Sequence, residues 1–523
     1  MIVATRKLRS SILLLIPKHR IGNMKKIHSI FYGIMVISTL GQAQSLTSEF
    51  SSIAENNDMM GSTLVVFCDN GLIENIAIGK SDFARNINAT TNTKYRVASI
   101  SKTITAIAVM QLVEQNLLDL DVDIGAILGY SVQNPNHPAS PITARMLLSH
   151  TSSIVDGSAY NNFLNATLNN DPIPNLSELL TDAGTYYSSA QFNNTVPGDY
   201  FNYSNVNYVI LGTIVEKVSN QRFDLYCKQN ISVPLGIDAS FNVNDLTDID
   251  QLAVLYRRIN GEWTPQADNY EGVQPVFSNL NGYVPGTNGA RFGPQGGFRC
   301  SGQDLAEIML VLMNHGTYNG VTLLSNSSCN AMIANEWTFN GSNGNNYNGL
   351  FRSWGLGIHR ITSTTGNDIA LPNSESMLGH TGEAYGLVSD AYFDTTRRVG
   401  FIFMNNGVGE GYQTNNYSTF YTVEQEVFNA IENFGNINSC SETLHYTETA
   451  DETTMIYPYP INGIVKIDIA NQIVLRIQLY DVKGQIIKEV TSSQIDLSSL
   501  SIGTYLLKAH THDASYGYKI IKP

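Results

Sequence analysis

"RVASISKTITAIAVMQLVEQ", residues 96–115, places a serine and a lysine three positions apart where a polar segment runs into an apolar one. The apolar run lacks glycine and proline, and its spacing predicts a helix that starts near Ser99. Residues i and i+3 of a helix share a face, so Ser99 and Lys102 would stand one turn apart on the same side. A serine hydroxyl is a poor nucleophile until a base takes its proton. A lysine can act as that base once burial lowers its pKa. A helix start also offers unpaired N–H groups that favour developing negative charge. The same residues equally describe a polar cap on an amphipathic helix, so the pair needs partners elsewhere in the chain.

Two partners follow in order. "PGDYFNYSNVNYVILGTIVEKVS" carries Tyr203, Ser204 and Asn205 just ahead of a second apolar helix, and "MLGHTGEAYGLVSDAYF" carries His380, Thr381 and Gly382 at the head of a strand. Ser-x-x-Lys, a polar triad and a Lys-Thr-Gly-like triad, in that order, mark penicillin-binding proteins and β-lactamases. On these motifs the chain resembles the class C β-lactamase-like serine hydrolases. That group includes β-lactamases, D-alanyl-D-alanine carboxypeptidases, D-aminopeptidases and esterases. The resemblance covers roughly residues 50–435 and extends to "MLLSHTSSI" at 146–154 and "PQGGFRCSGQDLA" at 294–306.

The resemblance implies an α/β (α+β) fold of the β-lactamase/transpeptidase type: an antiparallel sheet flanked by helices, plus a helical subdomain, with Ser99 in the cleft between them. It implies that Ser99 is the acylated nucleophile, Lys102 the group that shares or removes its proton, and Tyr203 the relay to the leaving group. Asn205 would hold a substrate carbonyl or the lysine amine, and His380, Thr381 and Gly382 would flank the substrate. The N–H groups of Ser99 and Glu383 would form the oxyanion hole. No metal or organic cofactor is implied, and the partner is a small-molecule or peptide substrate. His150 in "SHTSS" reads as a structural residue packing near the site.

Two departures bear on the substrate. His380 stands where β-lactamases carry lysine, and it offers less positive charge at neutral pH. Glu383 follows Gly382 where carboxylate-binding relatives often have a small hydroxyl residue. A side chain aimed into the cleft would repel a substrate carboxylate and tolerate an ester or an amine. Strand alternation leaves its direction open. An ester- or peptide-cleaving enzyme is expected, with a penicillin- or peptidoglycan-fragment-binding sensor as the alternative.

Composition narrows the classes further. The chain has 523 residues, 43% of them hydrophobic, and a net charge of −14, which disfavours nucleic acid as a partner. "MKKIHSIFYGIMVISTLGQAQS" has the basic, apolar and small-residue zones of a signal peptide over residues 24–43, with residues 1–23 an upstream misread. No other stretch reads as a membrane span. "DLDVDIG" at 119–125 fails as a calcium loop, because Ile124 and Tyr130 occupy its glycine and glutamate positions. The five cysteines show no zinc spacing and allow one or two disulfides in an oxidising compartment.

After a hydrolase domain over residues 46–435, the polar stretch 436–455 reads as a linker. Short alternating strands over 456–523 predict a small β-sandwich. "DVKGQ", "LSIGTYLLK" and the terminal "KIIKP" resemble the sorting domain of the type IX secretion system of Bacteroidetes-type bacteria. That resemblance implies the secretion machinery as a partner and passage through the periplasm to the cell surface or medium.

Overall fold

The computed structural model describes residues 45–434 except 70, residue 437, and most of 454–522. The predicted signal peptide and most of the linker lie outside the described residues. The first long strand, β1 (Gly61–Cys68), is buried along its whole length, as expected of a strand covered on both faces. It sits inside a nine-stranded antiparallel sheet. The other strands of the sheet, in chain order, are β2 (Gly71–Asp82), β3 (Ile87–Asn88), β4 (Trp337–Thr338), β5 (Ser353–Trp354), β6 (His359–Ile361), β7 (Met377–Ala384), β8 (Leu387–Asp394) and β9 (Val399–Asn405). Their spatial order is β4-β5-β6-β7-β8-β9-β1-β2-β3.

Side-chain alternation sorts the two faces. Leu64 and Val66 of β1 join Phe401 and Phe403 of β9 in one apolar cluster. Phe50 of α1 (Leu46–Asn56) and Val427 and Phe428 of α5 (Thr422–Asn433) complete it. Val65 and Phe67 turn the other way, with Ile402 and Met404, towards the larger cluster that includes α4 (Gly302–Met313). The closeness of α4 to the sheet depends on Gly302: a Cβ there would stand 2.7 Å from Thr63 Cγ2 and 2.8 Å from Val65 Cγ2.

The helical part is built around α2 (Ser101–Glu114), in which every residue from Ser101 to Leu112 is buried. A helix buried all round belongs at the centre of a bundle rather than on a surface. It packs against α3 (Asn205–Ser219), which is buried from Val206 to Glu216. The region 240–295 holds one short hairpin (Leu255–Ile259 with Glu262–Ala267) and otherwise turns and short 3-10 segments.

At the C-terminal end, β10 (Thr454–Tyr457), β11 (Ile464–Ile469) and β14 (Gln494–Asp496) form one sheet. The strands β13 (Ile486–Val490), β12 (Arg476–Tyr480), β15 (Gly503–His510) and β16 (Ser515–Lys522) form a second. Val465 and Ile467 of the first share a core with Ile477, Leu479 and Leu507 of the second, so the unit is a sandwich. Cys227, Cys300 and Cys329 are buried free thiols, so the disulfides that the composition allowed do not involve them. Among the described residues no helix is long and apolar enough to cross a membrane.

The segment leading to Ser99 is clamped from the sheet side. Lys94 Nζ bonds Asp304 Oδ2 at 2.9 Å, both side chains being nearly inaccessible. Asp304 also closes the capping box that starts α4. Asp304→Ala is expected to cost about 3 kcal/mol, the low end for breaking a buried pair, because Asp238 remains 3.5 Å from Lys94. Urea denaturation of the two proteins measures it.

Candidate active site

Ser99 lies in a 3-10 turn, Ala98–Ile100, immediately before α2, and Lys102 in the first turn of that helix. The helix thus begins just after the serine rather than at it. Ala98 carries a left-handed φ of 46°, and Val97 N bonds Phe298 O at 2.9 Å, tying the entry to the turn to the 293–298 segment.

Lys102 has no accessible surface. Its ammonium donates to Ser99 Oγ at 3.0 Å, Asn205 Oδ1 at 2.9 Å and the Gln295 carbonyl at 2.8 Å. Burial pushes its pKa down to about 7, against a smaller upward pull from Asp156. Two of its three partners can only accept. When the amine is neutral, its two N–H groups can keep Asn205 and Gln295, and its lone pair is left facing the Ser99 hydroxyl.

Tyr203 sits on the segment entering α3. Its ring stacks on Phe351 (centroids 5.1 Å apart) and packs against His150 (4.4 Å), with Lys102 Nζ 4.8 Å from its centre. Its hydroxyl bonds Ser99, yet burial and the charge of Asp156 hold the phenol above its ordinary range. His150 is buried, and its Nδ1 accepts from Ser204 N at 3.1 Å; the ring supports Tyr203 and does not line the cavity.

Strand β7 forms the opposite wall. It pairs with β6 only as far as Gly379, which leaves the edge from His380 to Ala384 open towards the Ser99 turn. Gly382 is required by this approach: a Cβ would stand 2.6 Å from Val97 O and 3.2 Å from Ser99 N. His380 is fully buried, and burial followed by the Lys102 charge holds its imidazole well below the usual range, so it is neutral. Thr381 faces Asp390 across the β7–β8 pairing. Asp390 and Glu424 are buried together, and burial raises both carboxyls, so the pair retains a proton near neutrality. Glu383 is exposed and lines the cavity, and its Oε2 accepts from the Tyr421 hydroxyl at 2.9 Å. Alternation thus turns Glu383 to the Tyr421 side of the strand, opposite the face that Gly382 presents to the Ser99 turn.

Ser99, Tyr203, Asn205 and His380 to Glu383 all line one cavity of about 1170 Å³, with Lys102 directly behind Ser99. Two contributors were not singled out from the sequence. The Gln295 carbonyl acts through a backbone atom, for which residue identity gives no signal. Asp156, two residues beyond the "SHTSSI" landmark, accepts from Asn205 N (3.0 Å), Asn205 Nδ2 (2.9 Å), Val206 N (2.9 Å) and Ser204 Oγ (3.1 Å). It satisfies the first orphan donors of α3 from a distant loop. Among the described residues no group of His, Cys, Asp or Glu is arranged to hold a metal ion.

The fold and this cluster define a β-lactamase/transpeptidase-like protein. Residues 46–423 match the beta-lactamase family, and the chain belongs to it. Residues 455–523 match the secretion system C-terminal sorting domain, of the type IX kind. The curated relatives include Protein flp of Staphylococcus aureus (strain MRSA252), 26% identical over 186 residues, covering 35% of this chain and 35% of that protein. Penicillin-binding protein 4 of Amycolatopsis lactamdurans is 29% identical over 195 residues, covering 37% of this chain and 48% of that protein. The chain thus spans less than half the length of these two relatives. Similar solved structures include the octameric penicillin-binding protein homologue from Pyrococcus abyssi (TM-score 0.56, 19% identity, 91% of this chain and 89% of that one). The D-amino acid amidase from Ochrobactrum anthropi SV3, complexed with L-phenylalanine, is another (TM-score 0.53, 16% identity, 76% and 99%).

Removing Asp156 strips the first turn of α3 of its acceptor. Asp156→Ala is expected to lower stability by about 1–2 kcal/mol, the cost of losing a helix cap, read from thermal or denaturant unfolding.

Proposed function

We propose that the chain is an exported serine hydrolase that cleaves an ester or amide bond, peptides included, through an acyl-enzyme on Ser99. The observation that carries this reading is the fully buried Lys102, 3.0 Å from Ser99 Oγ and with its pKa pushed down to about 7. A lysine in this state is half neutral near physiological pH and can accept a proton.

In the forward step Ser99 Oγ attacks the substrate carbonyl carbon while its proton passes to Lys102 Nζ. The carbonyl oxygen takes the electron pair and is met by the N–H groups of Ser99 and Glu383. Such donors are worth about 3 kcal/mol each at the transition state. Tyr203, kept protonated, gives its proton to the leaving oxygen or nitrogen and recovers one from Lys102. Water then repeats the attack on the acyl carbon, its proton taken by the same groups, and Ser99 is released. Asn205 holds Lys102 in place and is itself held by Asp156.

The substrate side follows from charge. His380 brings no cation to the wall, and Glu383 brings a carboxylate to the same cavity. Both features disfavour an anion next to the scissile bond, as in penicillins, and favour an ester or an amine-bearing amide. The sorting domain and the predicted signal peptide support export to the cell surface or medium in a Bacteroidetes-type bacterium.

Stopped-flow hydrolysis of p-nitrophenyl butyrate is expected to show an acyl burst that Ser99→Ala abolishes. Because the neutral amine is the active form, kcat/KM should rise with pH through about 7 and then level off. Asp156 favours the ammonium, so Asp156→Asn should move that limb to lower pH. Stoichiometric labelling by a fluorescent penicillin without turnover would instead support the sensor reading. Glu383→Ser is expected to raise penicillin hydrolysis relative to ester hydrolysis by about tenfold, measured as a ratio of kcat/KM values.

A further inference from the structure

The cavity continues beyond Ser99 to a second region walled by Phe277, Leu280 and Arg291. Three other arginines line the same cavity. Arg96 and Arg299 share the one carboxylate of Asp268, at 3.2 and 2.7 Å, and Arg257 is exposed. Arg291 is half-buried, unlike Arg257, and among the described residues it has no carboxylate partner, unlike Arg96 and Arg299. Its Nη2 reaches only Asn279 Oδ1, at 3.4 Å, and its buried Nε has no acceptor. The carboxylate of Asp224, whose field Arg291 feels, already pairs with Arg222 at 2.5 Å and accepts from Asn242 at 3.0 Å. The guanidinium lies over the Phe277 ring, 4.6 Å from its centre.

The position is built rather than incidental. Arg291 sits on the turn Gly289–Phe292, which is fixed to the helical part. Asn288 Nδ2 donates to Thr167 Oγ1 at 2.9 Å and to the Pro174 carbonyl at 2.7 Å, and Gly289 N donates to Thr213 Oγ1 at 2.9 Å. A guanidinium has five N–H donors and stays charged at every accessible pH. Leaving part of it desolvated without an acceptor is costly, and an incoming oxyanion removes that cost.

We infer that Arg291 is the centre of an anion-recognising subsite, which takes a carboxylate at the far end of a substrate whose scissile carbonyl lies at Ser99. This rests on the hydrolase reading above and adds a substrate class to it. Gln295, whose carbonyl holds Lys102, lies four positions after Arg291. Their Cα atoms are therefore at most about 14 Å apart. The Gly293–Gly297 turn, closed by Gly296 N and Gly297 N on the Gly293 carbonyl, shortens that reach. This backbone bound keeps the two regions within reach of one substrate and fixes no single spacer, so the test spans about five to eight carbons. The charges complement each other: Glu383 repels an anion beside the bond that breaks, and Arg291 receives one held away from it.

The test separates binding from turnover. Full-length Ser99→Ala protein is titrated calorimetrically with ω-carboxyl acyl p-nitroanilides of five to eight carbons and with their neutral methyl-ester counterparts. At least tenfold tighter binding of one or more carboxylates is expected, unchanged between pH 6 and 9. The preference should vanish in Ser99→Ala/Arg291→Gln and persist in part in Ser99→Ala/Arg291→Lys, with unfolding curves confirming that each variant is folded. Equal binding of charged and neutral ligands, or a preference that survives Arg291→Gln, overturns the inference. A preference in binding without a Ser99-dependent burst in the wild type would uphold the subsite and overturn the hydrolase reading.

Discussion

A lysine with no accessible surface sets the terms for the whole cleft. Lys102 can be buried only if each of its N–H directions finds an oxygen, because an unpaired buried ammonium is among the costliest groups a protein can hold. The three oxygens come from three separate places: Ser99 on its own turn, Asn205 at the head of α3, and the Gln295 carbonyl on a glycine-rich loop. Each of these is fixed in turn, Asn205 by Asp156 and the Gln295 segment by the bond between Val97 and Phe298. The geometry needed to bury the charge is also the geometry that aims the amine at the hydroxyl.

The opposite wall obeys a steric rule. Strand β7 approaches the Ser99 turn so closely that Gly382 has no room for a side chain. The residues on either side then divide the labour. His380 is dry and uncharged, Thr381 backs onto the Asp390–Glu424 pair, and Glu383 reaches the open cavity. A family fold accommodates different substrates by changing such flanking positions while the nucleophile and its base stay put.

The family was legible in the sequence because three motifs in order are far more specific than one. The terminal sandwich was legible from period and turn residues. What the sequence left open has a physical reason in each case. Glu383 could face either way, since a strand offers two faces and only its register against β8 chooses. Asp156 caps a helix that begins about fifty residues later, a relation with no local signature. Arg291 looks like any loop arginine until its surroundings show no anion beside it. The cysteine count could not distinguish cross-links from thiols sequestered in the core, where Cys227, Cys300 and Cys329 lie.

The placement of β1 carries a temporal consequence. This early strand is not an edge: it is flanked by β2 on one side and by β9 on the other, with Ser62 opposite Asn405. The sheet therefore cannot close while the ribosome is still making its last third. Long-range pairing of this kind is slow, and it exposes unsatisfied strand edges until it is complete. The Ser99 turn acquires its opposite wall only once the two ends of the domain have met.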